Sequence, residues 1–431
     1  MRKVVLMSLL MPGVVAVIGA GAAQAKPDLS FGQSGVLPLA PPVPAGWNQQ
    51  QVYDAATGGD GQVFVVDGQY RCDPGPANCV TRDFVFDYLA DGSLNTAFGG
   101  PQGYEVPAFS SSGGAGPIAV TTSGLPVVAF VAPQLAPEPA GAIHLQRLLA
   151  NGGLDPSFGL SGTTTLSCNC GYGGTRVLPG PENSTVVTVT EEVNTKSGAA
   201  DAATLYKLNA AGLAATRYGS NGSAKVTMPG GGSLDYQALA PGGAAYFGGA
   251  GDSVGTYEGA LVKVTASGKV DGRYTKAAAK SLDRLVTPST REKMVVRAAV
   301  AAKSGEVTLF GTAGEKGGFE LKLRPSGKLE TKFGKQGLRR LNRQIVAAVG
   351  GSEGAAMTLA VGSSTRLLRL LADGRPDPKF GTSGEELPGL VGFGVSLSPA
   401  GKGKVDVIDL GLTSCRGICQ VAPKVYRFLE H

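Results

Sequence analysis

The side chains able to do chemistry in this 431-residue chain are few, and their types narrow the choices early. Two histidines, His144 and the terminal His431, leave little room for a Ser/His/Asp triad, a multi-histidine zinc site or a two-histidine iron site. His144 falls in the strand-like run IHLQRLLA and reads as a surface or core residue. Asp54, Asp235 and Glu353 are carboxylates suited to a metal or to acid/base work. No acid pair recurs at a spacing that forces convergence, so no catalytic residue, cofactor or metal ligand is assigned. Six cysteines form three local groups: Cys72 with Cys79, Cys168 with Cys170, and Cys415 with Cys419. Short loops between the outer two groups favour local disulfides, with a crossed 72/79 to 415/419 scheme as the alternative. A C-x-C bridge is tight, so a metal or free thiols stay open for Cys168 and Cys170. Trp47 and Tyr172 are either covers over a loop base or exposed stacking platforms.

Charge is the other chemical signal. Residues 26 to 262 carry 9 basic and 18 acidic side chains, residues 263 to 343 carry 19 and 7, and residues 344 to 431 carry 9 and 8. The middle segment is therefore a basic sector at 19 − 7 = +12 beside an acidic arc at 9 − 18 = −9. Arg339, Arg340 and Arg343 are its densest cluster. The partner expected for it is an anionic envelope polymer, another surface protein, or the acidic face of a second copy. Nucleic acid is not expected, because the basic run has few interleaved aromatics.

The first 25 residues read as a secretory signal peptide: Arg2 and Lys3, an apolar run from Val4 to Ile18, and Ala23-Gln24-Ala25 as a small-x-small cleavage site. No later apolar stretch is long enough for a span. The mature chain is thus expected to be secreted and extracellular, with a periplasmic or wall-associated setting as the alternative, and an oxidising compartment suits its cysteines.

These residues must be held by something periodic. A turn ending in aromatic-Gly recurs with its aromatic at 31, 98, 158, 218, 274, 333 and 380, at spacings of 67, 60, 60, 56, 59 and 47. Six of these turns are preceded by an alternating strand such as FVFDYLA or FELKLRP, and a seventh copy, KVYRFLE, closes the chain. Gly-turns followed by apolar strands (DGQVFVV, SGEVTLFG) and a short strand after each aromatic complete four strands per unit. Seven such units predict an all-β fold, a seven-bladed β-propeller of four-stranded antiparallel blades, with residues 26 to 431 as one domain. Strand Val36 to Leu39 is expected to pair with Lys424 to Leu429 and close the ring, since the terminal blade would otherwise keep an open edge. Gly plus Pro at 93 residues fits a turn-rich fold. The region 276 to 302 has helix-forming composition, while register favours a strand for its second half. The aromatic is read as a wedge between blades, and the Asp or Asn of the turn as a capping side chain rather than a calcium ligand.

The run L-x-R-L-x-x-D-G-x-x-D-x-x-F-G-x-x-G, seen as LQRLLANGGLDPSFGLSG (145 to 162) and LLRLLADGRPDPKFGTSG (367 to 384), resembles the delta-60 repeat family of secreted and surface bacterial proteins. The resemblance covers essentially the whole mature chain and weakens at 218 and 274, where Tyr replaces Phe and Tyr274 lacks its following Gly. It implies a repeat fold and an extracellular setting, and no reaction or ligand.

Variable loops (40 to 50, 68 to 83, 132 to 142, 167 to 175, 190 to 203, 412 to 423) fall on one predicted face and carry all six cysteines, Trp47 and Tyr172. The function expected is a binding or structural protein of the cell envelope or extracellular space; the alternative is a propeller hydrolase or lyase with carboxylates at the central channel.

Overall fold

The alternating runs pair as antiparallel meanders, and in the computed structural model these meanders stand around a ring as seven blades. The structure describes residues 26–72, 79–100, 102–105, 115–132, 141–168, 174–195, 198–229, 234, 236–253, 256–283, 294–313, 317–361, 364–380, 385–387, 395–401, 403–415, 417–420 and 422–430. The signal peptide read over residues 1 to 25 lies outside them, as do Asp235, Tyr172, Cys170 and His431.

Blade one is Asn48–Thr57, Val63–Cys72, Cys79–Tyr88 and Tyr104–Glu105, from the inner strand outward. Blades two, three, five and six repeat this order, starting at Ala115–Val120, Thr175–Pro179, Met294–Ala301 and Gln344–Gly350. Inner strands of neighbouring blades touch, including that of blade seven (Val395–Pro399) against that of blade one. In blade seven, Lys404–Asp409 and Lys424–Leu429 follow the inner strand, and a small hairpin, Leu412–Cys415 with Gly417–Gln420, is inserted between them.

The ring closes as expected. Val36, Leu37 and Pro38 pair with Tyr426, Val425 and Lys424, and Lys26–Pro27 pairs further along the same strand. Residues 26–27 and 36–38 therefore supply the outer edge of blade seven.

Blade four departs from the pattern. Among the described residues it has three strands, Tyr236–Leu239, Ala245–Ser253 and Thr256–Val264, and an α-helix, Gly272–Asp283, stands where the outer strand would be. Tyr274, Ala278 and Leu282, at i, i+4 and i+8, are buried, so one helical stripe does the packing an outer strand would do. The strand expected in the second half of 276 to 302 is present at Met294–Ala301.

Seven hydrophobic clusters among the described residues map onto the seven seams between blades. Phe31, Phe98, Phe158, Tyr218, Tyr274 and Phe380 each sit in one of them, fully or nearly buried. The aromatic is thus a wedge between blades. Its following glycine is required too: Gly32, Gly99, Gly159 and Gly219 donate their N–H to Asp91, Asn151, Ala211 and Ser267 carbonyls of the next repeat's turn. A Cβ on Gly92 would lie 2.7 Å from the Gly32 nitrogen, so close turn-to-turn contact excludes a side chain.

Candidate functional site

The polar atoms of the repeat motif are committed to the scaffold, as the capping reading of its turn expects. Asp91, Asn151 and Asn209 cap their turns by accepting from the N–H groups of Ser93 (2.8 Å), Gly153 (3.0 Å) and Ala211 (2.9 Å). The basic residue of L-x-R-L had been given no role by sequence reasoning. It pairs with an acid at Arg147, Arg369 and Arg427, and at Arg147 and Arg427 it also stacks on the wedge. Arg147 lies 4.7 Å from the Phe158 ring centre and 2.8 Å from Asp155, Arg369 pairs with Asp377, and Arg427 lies 3.8 Å from Phe31 while gripping Asp406 through two contacts of 2.7 Å. Arg427 also donates to Ala90 O at 2.9 Å and Gly61 O at 2.8 Å, crossing into blade one. Those two carbonyls belong to different turns of blade one, which therefore share a face. The basic residue that recurs eleven positions before the wedge aromatics at 158, 218, 274, 333 and 380, replaced by Asp87 before Phe98, is the signal in the sequence that points to this.

Of the candidate channel carboxylates, Asp235 lies outside the described residues, and Asp54 and Glu353 occupy different settings. Asp54 accepts from Ile118 N and Ala55 N, both at 2.9 Å, so it ties blade one to blade two. Burial pushes its carboxyl up to about 6, against those hydrogen bonds and the charge of Arg176. Glu353 lies exposed in a turn at the end of an inner strand. His144 is half-buried on the third strand of blade two, 3.0 Å from the Thr165 hydroxyl, and burial lowers its pKa. Asp83 in blade one is pushed up to about 7 by burial and then by the charge of Asp67, whose Oδ2 accepts from Gln69 at 2.7 Å. Asp87 is raised to about 6, again chiefly by burial.

On the loop face, Trp47 packs edge-on against Phe84 at 5.4 Å and is flanked by the guanidinium groups of Arg71 and Arg82 at 5.2 and 5.7 Å. Its ring covers the seam between blades seven and one. Cys72 and Cys79 are cross-strand partners at the tip of the second hairpin of blade one, and Cys415 and Cys419 lie in the inserted hairpin, where Cys419 faces Thr413. Cys168 ends the outer strand of blade two.

The basic sector is brought together, though not at the residues named from the sequence. Arg339 donates to Asp373 O at 3.2 Å and Arg343 to Ser364 O at 3.3 Å, both turned toward blade six; Arg340 is exposed. The cations that converge are neighbours. Arg273, Lys276 and Lys280 stand at i, i+3 and i+7 along one stripe of the blade-four helix. Arg324, Lys328 and Lys335 face them from the turn and outer edge of blade five, and the two rows line a cleft of about 1060 Å³. Arg324 pairs with Glu330 at 3.1 Å, and the other five cations pair with no carboxylate among the described residues. The cleft is held in shape by Ser281, whose hydroxyl donates to Gly327 O at 3.0 Å, and by Gly327 itself, where a Cβ would meet Tyr274 O at 2.6 Å. It lies on the rim beside the short turns, away from the variable loops.

No family model matches the chain, and no curated protein matches it. Similar solved structures include the β-propeller domain of the Trilobed protease from Pyrococcus furiosus, at 10% identity over 88% of this chain and 94% of that one, TM-score 0.44. The PQQ-bound aldose sugar dehydrogenase of Streptomyces coelicolor is 13% identical over 74% of this chain and 95% of that one, TM-score 0.36. The Pyrococcus horikoshii acylaminoacyl peptidase is 8% identical over 88% of this chain, which spans about half (51%) of that one, TM-score 0.45. These likenesses concern the fold and say nothing about what this chain binds or catalyses.

Proposed function

We propose that the chain is a secreted member of the delta-60 repeat family, working as a binding or structural module of the cell envelope that attaches to an anionic partner through its basic sector. The observation that carries this reading is the cleft between blades four and five, where six cations meet and five have no carboxylate partner among the described residues. The leader-like first 25 residues support an extracellular setting. Local pairing of Cys72 with Cys79 belongs to the same reading, and their cross-strand register supports it. The enzymatic alternative has less behind it, because Asp54 spends both carboxylate oxygens on backbone N–H groups.

Attachment by exposed cations weakens with salt, as the Debye length falls from about 10 Å at 0.1 M to about 3 Å at 1 M. Mature protein incubated with isolated envelope is expected to be retained at the lower of these ionic strengths and released at the higher. Retention that ignores salt, or no retention at low salt, rejects the reading.

A further inference from the structure

The cleft also carries information about what it would hold. Among the described residues its lining has no carboxylate and no aromatic ring. A stacked base or a sugar ring packed on its face needs an aromatic platform, which this cleft does not offer. Of the neutral polar side chains in the lining, the Ser281 hydroxyl is engaged with Ala277 O and Gly327 O at 2.8 and 3.0 Å and the Thr331 hydroxyl accepts from Arg324 at 3.3 Å, which leaves Gln336 to read hydroxyls beside six cations. Recognition must come from charge. Four of the six cations are lysines, point charges on flexible stems that follow a mobile anion rather than clamp one planar group. Arg273 and Lys280 are seven residues apart on the helix, so at 1.5 Å per residue that cation row runs for roughly 10 Å. The opposing row comes from blade five. A trough with cations along both walls suits an anion that is linear and charged at every repeat.

Resting on the proposed attachment through the basic sector, we infer that this cleft binds a linear phosphate polymer without rings in its backbone, either a polyphosphate or a polyol phosphodiester. Sugar-acid polymers match the sign of the charge but bring rings that nothing in the cleft packs against.

The test uses the full mature chain and linear polyphosphate as probe, titrated at low and high salt, with polygalacturonate as the carboxylate comparator. Lys276→Gln, Lys280→Gln and Lys328→Gln are combined in one variant; glutamine keeps the helix propensity and removes only charge. Each lysine near an anionic surface contributes about a fivefold factor, so the triple change should weaken polyphosphate binding about a hundredfold. Replacing Arg339, Arg340 and Arg343 by Ser should change it by less than about threefold on the same scale. Circular dichroism melting of each variant establishes that it is folded. Polygalacturonate binding as tight as polyphosphate overturns the phosphate assignment. An unaffected lysine variant with loss in the arginine variant overturns the cleft while leaving attachment through the sector standing. Failure of every polyanion to bind at low salt rejects both. Lysine-dependent dimerisation without polyphosphate binding also overturns the inference and makes the acidic arc of a second copy the occupant.

Discussion

Glu320 occupies a place that other blades give to an aliphatic side chain, and replacing it should flatten the pH dependence of stability. Thirteen residues before the wedge aromatic stand Val85, Leu145, Leu205, Leu261 and Leu367 in other repeats, with Val425 at the matching place in blade seven, and all are buried. Glu320 is only 3% exposed. It faces Phe310 across one strand pair and Arg339 across the other, and its Oε2 has no hydrogen-bond partner among the described residues. Among the described residues, the seam around it, between blades five and six, has six buried apolar residues in its cluster. Burial lifts the Glu320 carboxyl to about 8 from an ordinary 4.5, opposed by Arg339 and Lys322 and reinforced by Asp373. Because the folded protein holds this proton more tightly than the unfolded chain, stability is complete below about pH 4.5 and falls as pH rises toward 8. The full loss is on the order of 4 to 5 kcal/mol by linkage. Glu320→Leu restores the side chain of the sister blades and removes the titration. Urea unfolding of the variant at pH 8 should show a gain of roughly 3 to 5 kcal/mol over the parent, against about 1 kcal/mol or less at pH 5. Glu320→Gln, which keeps shape and polarity, should flatten the profile likewise. Parallel pH profiles for parent and Leu variant between pH 5 and 8 would refute the reasoning.

Arg427→Leu should cost about 3 to 5 kcal/mol, because Asp406 would be left buried and unpaired. Arg375→Leu, which breaks a surface pair with Asp373, should cost no more than about 1 kcal/mol; equal losses in urea unfolding would contradict the contrast. Deleting residues 26 to 40 removes both closing strands and the Phe31 wedge, so melting should drop for the whole protein. An unchanged melting temperature rejects closure as a source of stability. Peptide mapping without reduction should find Cys72 joined to Cys79, a link contributing about 2.5 kcal/mol by loop entropy before any strain; two free thiols there would defeat it.

The architecture was legible because it is written in local spacing repeated seven times. A wedge aromatic, a turn that needs positive φ and an alternating strand each depend on residues a few positions apart, so their recurrence reveals blade number and the closing pair Val36 to Leu39 with Lys424 to Leu429. The capping role of Asp91 and Asn151 was legible for the same reason, since the bond spans two residues. The basic sector was visible as a sum of charges. Its site was not, because Arg339 and Arg343 turn to carbonyls of blade six while Lys276 and Lys328, 52 positions apart, come to line one cleft. That convergence depends on a helix taking the place of the outer strand in blade four, which composition suggested but could not locate in space. Glu320 shows the same division. Its odd character is readable once the repeats are aligned, but the cost of its charge arises from burial between two blades, and only the closed ring decides which side chains lose their water.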